Sequence, residues 1–117
     1  MDVVIDTDVI STFAKINKLE LLQRLFSKSE ILLTPSVSKE IKNGMQLGII
    51  KSQRVRFSAI KLDLSEKRLV REIRAGKKLG LADAECISIA KYRTCLLITN
   101  DRQAAIEADS HSVKRDA

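Results

Sequence analysis

Leu96-Leu97-Ile98-Thr99-Asn100-Asp101 decides the fold. A short apolar run that ends abruptly in polar residues and an acid reads as a buried strand with a functional group at its carboxyl end. The start of the chain repeats the arrangement: Val3-Val4-Ile5 runs straight into Asp6. Glu30 to Leu33 is a third short strand, closed by Thr34-Pro35.

Helical patterns lie between these runs. Leu19, Leu22, Leu25 and Phe26 recur at helical spacing, which predicts an amphipathic helix over 18–27. Thr34 suits an N-cap and Pro35 the first helical position, so a helix should start there and stop near Gly44. Residues 45–52 are ambiguous, with a short helix as one reading, and 54–62 read as extended chain or loop. Ser65 is read as the cap of a helix reaching about Ala75, with Leu69, Val70 and Ile73 on its buried face. Gly76 to Gly80 breaks the pattern. Leu81 to Tyr92 is a strongly apolar helix with Leu81, Ala84, Ile87 and Ala90 as inward candidates. The strand Cys95–Ile98, a helix over 102–108 and a last strand starting at Val113 complete the chain. Strands alternating with helices imply an α/β fold, a mostly parallel central sheet with helices on both faces. Right-handed crossovers bring the ends of the first and last main strands together.

The 117 residues fit one domain, 1–117, and 44% of them are apolar, enough for a real core. No apolar run reaches the ~20 residues of a membrane span. With no basic-then-apolar leader at the start, a cytoplasmic protein is expected. Cys86 and Cys95 form no paired motif and His111 is the only histidine, so a zinc site is not expected. Both cysteines lie in apolar runs and are expected to be reduced and buried. His111, in the tail, is expected to be an ordinary surface residue.

Charge is unevenly placed. Residues 39–78 carry twelve Lys or Arg against four Asp or Glu, so this stretch is +8 in a chain whose net charge is +6. A basic middle fits a polyanionic partner. Lys67, Arg71, Arg74 and Lys78 fall at helical spacing, opposite Leu69 and Ile73, and form a candidate RNA-binding stripe. A solvated helix face explains the same spacing. Aromatic residues are only 3%, so base stacking contributes little.

Four acids in four segments are expected to converge: Asp6, Glu40, Asp83 and Asp101. Ligands of open α/β sheets bind at the carboxyl ends of strands. Carboxylates gathered there suit a hard divalent cation and a phosphate-bearing substrate. Each acid also has a simpler reading. Asp6, Asp83 and Asp101 stand where helix caps belong, and Glu40 could be a solvated helix residue.

Four stretches resemble the motifs of PIN domains (PilT N-terminus). Val3-Val4-Ile5-Asp6-Thr7-Asp8-Val9-Ile10 is similar to the family's opening. Leu33 to Ile41, which contains Glu40, resembles the second motif. Leu79-Gly80-Leu81-Ala82-Asp83-Ala84-Glu85 resembles the third, and Leu97-Ile98-Thr99-Asn100-Asp101 the fourth. The resemblance runs from residue 3 to about 108. It implies a Mg²⁺- or Mn²⁺-dependent ribonuclease, often the toxin half of a VapBC-type toxin–antitoxin pair, and favours a homodimer. It places catalytic and metal-binding roles on Asp6, Glu40, Asp83 and Asp101, with Thr99, Asp8 and Glu85 as secondary metal-site candidates. Glu85 ranks below Asp83, because two residues along a regular helix turn it some 200° away. The chain stops soon after Val113, where the family usually has a fifth strand and more. A truncated tail would weaken the sheet edge or a dimer surface.

The chemistry agrees with the resemblance. Phosphodiester hydrolysis needs an activated water and shielding of negative charge; Mg²⁺ supplies both with oxygen ligands alone. The alternative is a PIN-like module that binds RNA or protein without cutting. A phospho-receiver domain is disfavoured, because Asp63 follows no convincing strand and no Lys follows the last main strand.

Overall fold

The computed structural model describes residues 1–48, 57–76 and 79–116. Five parallel strands form one sheet in the order β3-β2-β1-β4-β5. They are β1 (Val3–Ile5), β2 (Ile31–Leu33), β3 (Ser58–Ala59), β4 (Leu96–Ile98) and β5 (Arg115–Asp116). The first three strands step one way from β1, and the last two step the other way. The strand order therefore reverses between β1 and β4, and the crevice outside such a reversal is where α/β sheets bind ligands.

Among the described residues six helices connect the strands: α1 (Thr7–Lys15), α2 (Leu19–Leu25), α3 (Pro35–Gln46), α4 (Leu64–Arg74), α5 (Leu81–Arg93) and α6 (Arg102–Ser110). Right-handed crossovers put α1 to α3 on one face and α4 to α6 on the other. Helix α1 lies against α2 and α3, and α5 against α4 and α6; α3 and α5 also meet, where Ser36 N donates to Glu85 Oε1. The expected α/β architecture is present, and the sheet is wholly parallel.

Several local expectations need correction. Helix α1 has no counterpart among the expected elements. Its Val9, Ile10 and Ala14 recur at helical spacing and are buried, and the Asp6 carboxylate caps it. Asp63, not Ser65, caps α4: Asp63 Oδ1 accepts from Glu66 N, and Glu66 Oε1 accepts from Asp63 N, each at 2.8 Å. This reciprocal pair satisfies two otherwise orphaned donors. Helix α3 runs through Gly44 to Gln46. One glycine costs such a helix only about 1 kcal/mol. Residues 58–59 are a strand, whereas 49–52 and 54–56 lie outside the described residues. A fifth strand is present at Arg115–Asp116, paired with β4. In α5, Ala84, Ile87 and Ala90 are buried as expected, whereas Leu81 is exposed.

Helix α5 is the centre of the molecule. Every residue from Ala84 to Ala90 is buried, polar Glu85 and Ser88 included. Ser88 Oγ donates to Glu66 O at 2.8 Å, and Arg93 holds Glu66 through two nitrogens, at 2.8 and 3.1 Å. Arg93 also donates to Lys61 O at 2.7 Å, so α4, α5 and the loop after β3 are tied together. The expected burial of Cys86 and Cys95 is observed. His111 sits beside Glu107 at 3.3 Å on the surface of α6.

Candidate active site

Register builds the floor of the site. Ile5 of β1 lies level with Ile98 of β4, so Asp6 and Thr99 leave the sheet side by side. Asp6 N donates to Ile98 O at 3.2 Å. The Asp6 side chain is buried, and both of its oxygens accept hydrogen bonds. Oδ1 accepts from Val9 N at 2.9 Å, and Oδ2 accepts from Thr99 Oγ1 at 2.5 Å and Asn100 N at 3.4 Å. Thr99 Oγ1 in turn accepts from Asp101 N at 3.1 Å. Asp101 Oδ1 caps α6, accepting from Gln103 N at 2.8 Å and Ala104 N at 3.0 Å. For Asp6 and Asp101, cap and site are thus not alternatives: each carboxylate starts a helix, and each stands at the strand reversal.

Asp83 differs. The N-cap of α5 is Gly80, which has no side chain to offer, and Asp83 stands in the first turn with no hydrogen-bond partner among the described residues. Burial is the largest cause raising its carboxyl to a pKa of about 6, followed by the charges of Asp101, Asp6, Asp8 and Glu40. Burial and like charge both disfavour the ionised form. Every acid singled out in the sequence as a primary candidate therefore contributes to one electrostatic field centred on Asp83, with Asp8 added.

The crevice above this floor has a volume of about 440 Å³. Asp8 from α1, Glu40 and Asn43 from α3, and Asp83 from α5 line it, with Lys39 as the one cation among the described residues. Thr7 also lines it, and its buried Oγ1 has no hydrogen-bond partner among the described residues. Sequence reasoning assigned Thr7 no role; its place beside Asp6 was the available signal. Asp101 lies instead on a neighbouring depression with Thr99, Asn100 and Arg115. Cys86 lies beneath the site, its Sγ 4.0 Å from Ile5 O, and burial pushes its thiol well up, so it stays protonated.

Glu85 turns elsewhere. It is 7% exposed, and its Oε1 accepts from Ser36 N at 2.9 Å, which ties the start of α3 to α5. Among the basic candidates, Lys67, Arg71 and Arg74 are exposed along α4. Lys78 lies outside the described residues.

Carboxylates, a hydroxyl and an amide are oxygen donors of the kind Mg²⁺ and Mn²⁺ take. Among the described residues no three acids are drawn together as they would be around a bound ion. The donor chemistry fits a hard cation, and the unpartnered Asp83 carboxylate and Thr7 hydroxyl are the groups left over to meet one.

A parallel α/β sheet with acids across its strand reversal defines a class of protein, and the chain belongs to one family within it. The family model DUF3368, PIN domain, matches residues 2–115. No curated protein sequence matches. Among solved structures, the chain is similar to one from VapBC2 of Rickettsia felis bound to a DNA fragment from their promoter. The TM-score is 0.72 at 16% identity, over 99% of this chain and 98% of that one. It is also similar to FitAcB from Neisseria gonorrhoeae, with a TM-score of 0.56 at 17% identity, over 98% of this chain and 96% of that one. At these identities the likeness is one of fold. Among the described residues no helix is long and apolar enough to cross a membrane.

Proposed function

We propose that this chain is a metal-dependent endoribonuclease, the toxin of a VapBC-type toxin–antitoxin pair. The observation that carries the reading is the unpartnered Asp83 carboxylate, raised to about 6 by burial and by Asp101, Asp6, Asp8 and Glu40. Structural carboxylates are paired; a carboxylate held among four others is set up for a cation. PIN membership and the VapBC2 and FitAcB likenesses support the toxin assignment and an antitoxin partner, and the family resemblance favours a homodimer.

Asp6, Glu40, Asp83 and Asp101 would hold Mg²⁺ or Mn²⁺, with Asp8 and Thr99 beside them. Such an ion, when bound, lowers the pKa of a water and shields phosphate charge. The chain's own residues do the rest. The two helix caps fix Asp6 and Asp101 at the strand ends. Thr99 holds Asp6 in one rotamer. A lone pair on Asp6 Oδ1, which accepts only from Val9 N, remains open to a ligand. The basic middle of the chain attracts the RNA backbone.

One observation favours the second reading, a PIN-like module that binds without cutting: the acids are not gathered as around an ion. A cleavage assay separates the two. Purified chain should cut single-stranded RNA with Mg²⁺ or Mn²⁺, stop with EDTA, and lose activity in Asp83→Asn. Binding of RNA with no cleavage under any divalent cation would favour the non-catalytic module. Cleavage that survives both EDTA and Asp83→Asn would come from a contaminant.

A further inference from the structure

A second groove, about 490 Å³, adjoins the acidic crevice. Leu81 lines both, and the start of α3 separates them, with Pro35 on one side and Ser36 on the other. The volume suits a small organic ligand. The polar lining of the groove is Lys61, Lys67, Arg71 and Glu85; its apolar lining is Pro35, Leu62, Val70 and Leu81. Among the described residues, three cations around an apolar floor, with a single acid, match a nucleotide, which combines an anion with a flat apolar ring.

The groove is also built rigidly. Its wall at Lys61 is held by Arg93, which donates to the Lys61 carbonyl while gripping buried Glu66. Its floor at Glu85 is held by Ser36 N. The other Glu85 oxygen has no partner among the described residues, in a side chain that is more than nine-tenths buried.

We infer that this groove is a nucleotide subsite, which holds the RNA strand one step away from the scissile phosphate. The inference rests on the ribonuclease reading and deepens it. Lys61, Lys67 and Arg71 take a backbone phosphate, and the base lies on Leu62, Val70 and Leu81. An ionised carboxylate only accepts hydrogen bonds. Glu85 therefore selects a base with an exocyclic amine, such as cytosine through its N4 donor. Uracil sets its single N–H between two carbonyl oxygens, which the carboxylate repels. The basic stripe of α4 is thereby divided: Lys67 and Arg71 serve the subsite, whereas Arg74 does not line it.

The test is fluorescence anisotropy of short labelled oligocytidylate and oligouridylate, in EDTA so that nothing is cut, over a salt series. Wild type should prefer oligocytidylate. The double change Lys67→Gln with Arg71→Gln should weaken binding about tenfold or more. It should also flatten the log–log salt slope by about 0.7, the share of one single-strand phosphate contact. Arg68→Gln removes a charge from the same helix off the groove and should bind like wild type. Glu85→Gln keeps an acceptor for Ser36 N and should erase the preference for cytosine. Wild-type affinity and slope in the double variant would overturn the subsite. So would a groove that loses an acidic peptide, but not RNA, on the same substitutions. Groove-dependent RNA binding without metal-dependent cleavage would support the subsite and sink the ribonuclease reading instead.

Discussion

Two carboxylates, Glu66 and Asp83, show the difference between an acid that builds a fold and one that waits for a ligand. Glu66 on α4 is 1% exposed, yet its pKa is lowered, first by the hydrogen bonds from Arg93 and against the effect of burial. Asp83 on α5 is only partly buried, yet its pKa is raised to about 6. Burial alone therefore does not set the direction. At Glu66 a guanidinium and a backbone N–H outweigh burial; at Asp83 burial is the largest cause, and four further acids add to it. The same helix carries Arg93 at one end and Asp83 at the other, so α5 is clamped at its C-terminal end and charged at its N-terminal end.

Breaking the clamp should give the largest effect. Arg93→Ala leaves the buried Glu66 carboxylate without its main partner and releases the Lys61 carbonyl. Removing one partner of a buried pair costs about 3 kcal/mol or more. The partial exposure of Arg93 argues for the lower end of that range. Urea denaturation of the variant should show a midpoint shift of that size with an unchanged slope. Loss of less than about 1 kcal/mol would mean that the pair is screened like a surface bridge. The comparison with Asp83 would then fail.

The opposite change at the other end should stabilise the protein. Asp83 has a folded pKa of about 6 against an ordinary value of 3.8. Its folded pKa is raised, so the folded state holds the proton more tightly than the unfolded one. Its contribution to stability is full at pH below about 3.8 and is lost as pH rises through about 6. Asp83→Asn should thus match wild type near pH 3.5 and exceed it increasingly above pH 4, levelling off past pH 6. The shift would correspond to about 3 kcal/mol for a sealed group; solvent screening of a partly exposed one brings this to roughly 1–2 kcal/mol. Melts in EDTA across that range check it. Mn²⁺ should stabilise the wild type by about 2.7 kcal/mol at a hundredfold excess over its dissociation constant, raising its melting point, and stabilise the variant far less. An Asp83→Asn variant that is less stable than wild type at pH 8 would show that the carboxylate has a structural partner after all.

The contrast also explains which parts of the molecule were legible in the sequence. The strands at Val3–Ile5 and Leu96–Ile98 were visible because a doubly covered parallel strand is apolar at every position. The acids after them were visible because a strand end at a reversal of order is where ligands bind. Helix α1 was not, because β-branched Thr7, Val9, Ile10 and Thr12 lower its helix propensity; its buried face against the core overrides this. The cap of α4 was placed at Ser65, two residues late, because both Asp63 and Ser65 are good caps; only the partner at Glu66 decides between them. Least visible of all was Glu85. Its helical phase shows that it points away from Asp83, but not that Ser36 N awaits it there.

The smallest expected effect is the most discriminating, because Asp6 and Asp101 are both helix caps and site acids. Asparagine caps a helix about as well as aspartate. Asp101 uses one oxygen for its cap, accepting from Gln103 N and Ala104 N. Asp101→Asn keeps that acceptor, so stability in EDTA should change by less than about 0.5 kcal/mol. Asp6 uses both oxygens as acceptors: Oδ1 for Val9 N, Oδ2 for Thr99 Oγ1 and Asn100 N. Asp6→Asn turns one of these atoms into a donor, which then meets an N–H and a hydroxyl already committed to donating. That mismatch should cost about 1–2 kcal/mol. Both variants should lose cleavage and most of the Mn²⁺ shift. Equal destabilisation of the two would mean that Thr99 does not hold Asp6 as a donor. A full Mn²⁺ shift retained by Asp101→Asn would reduce Asp101 to a cap and move the ion toward Asp8, Glu40 and Asp83, the three acids that line the crevice itself.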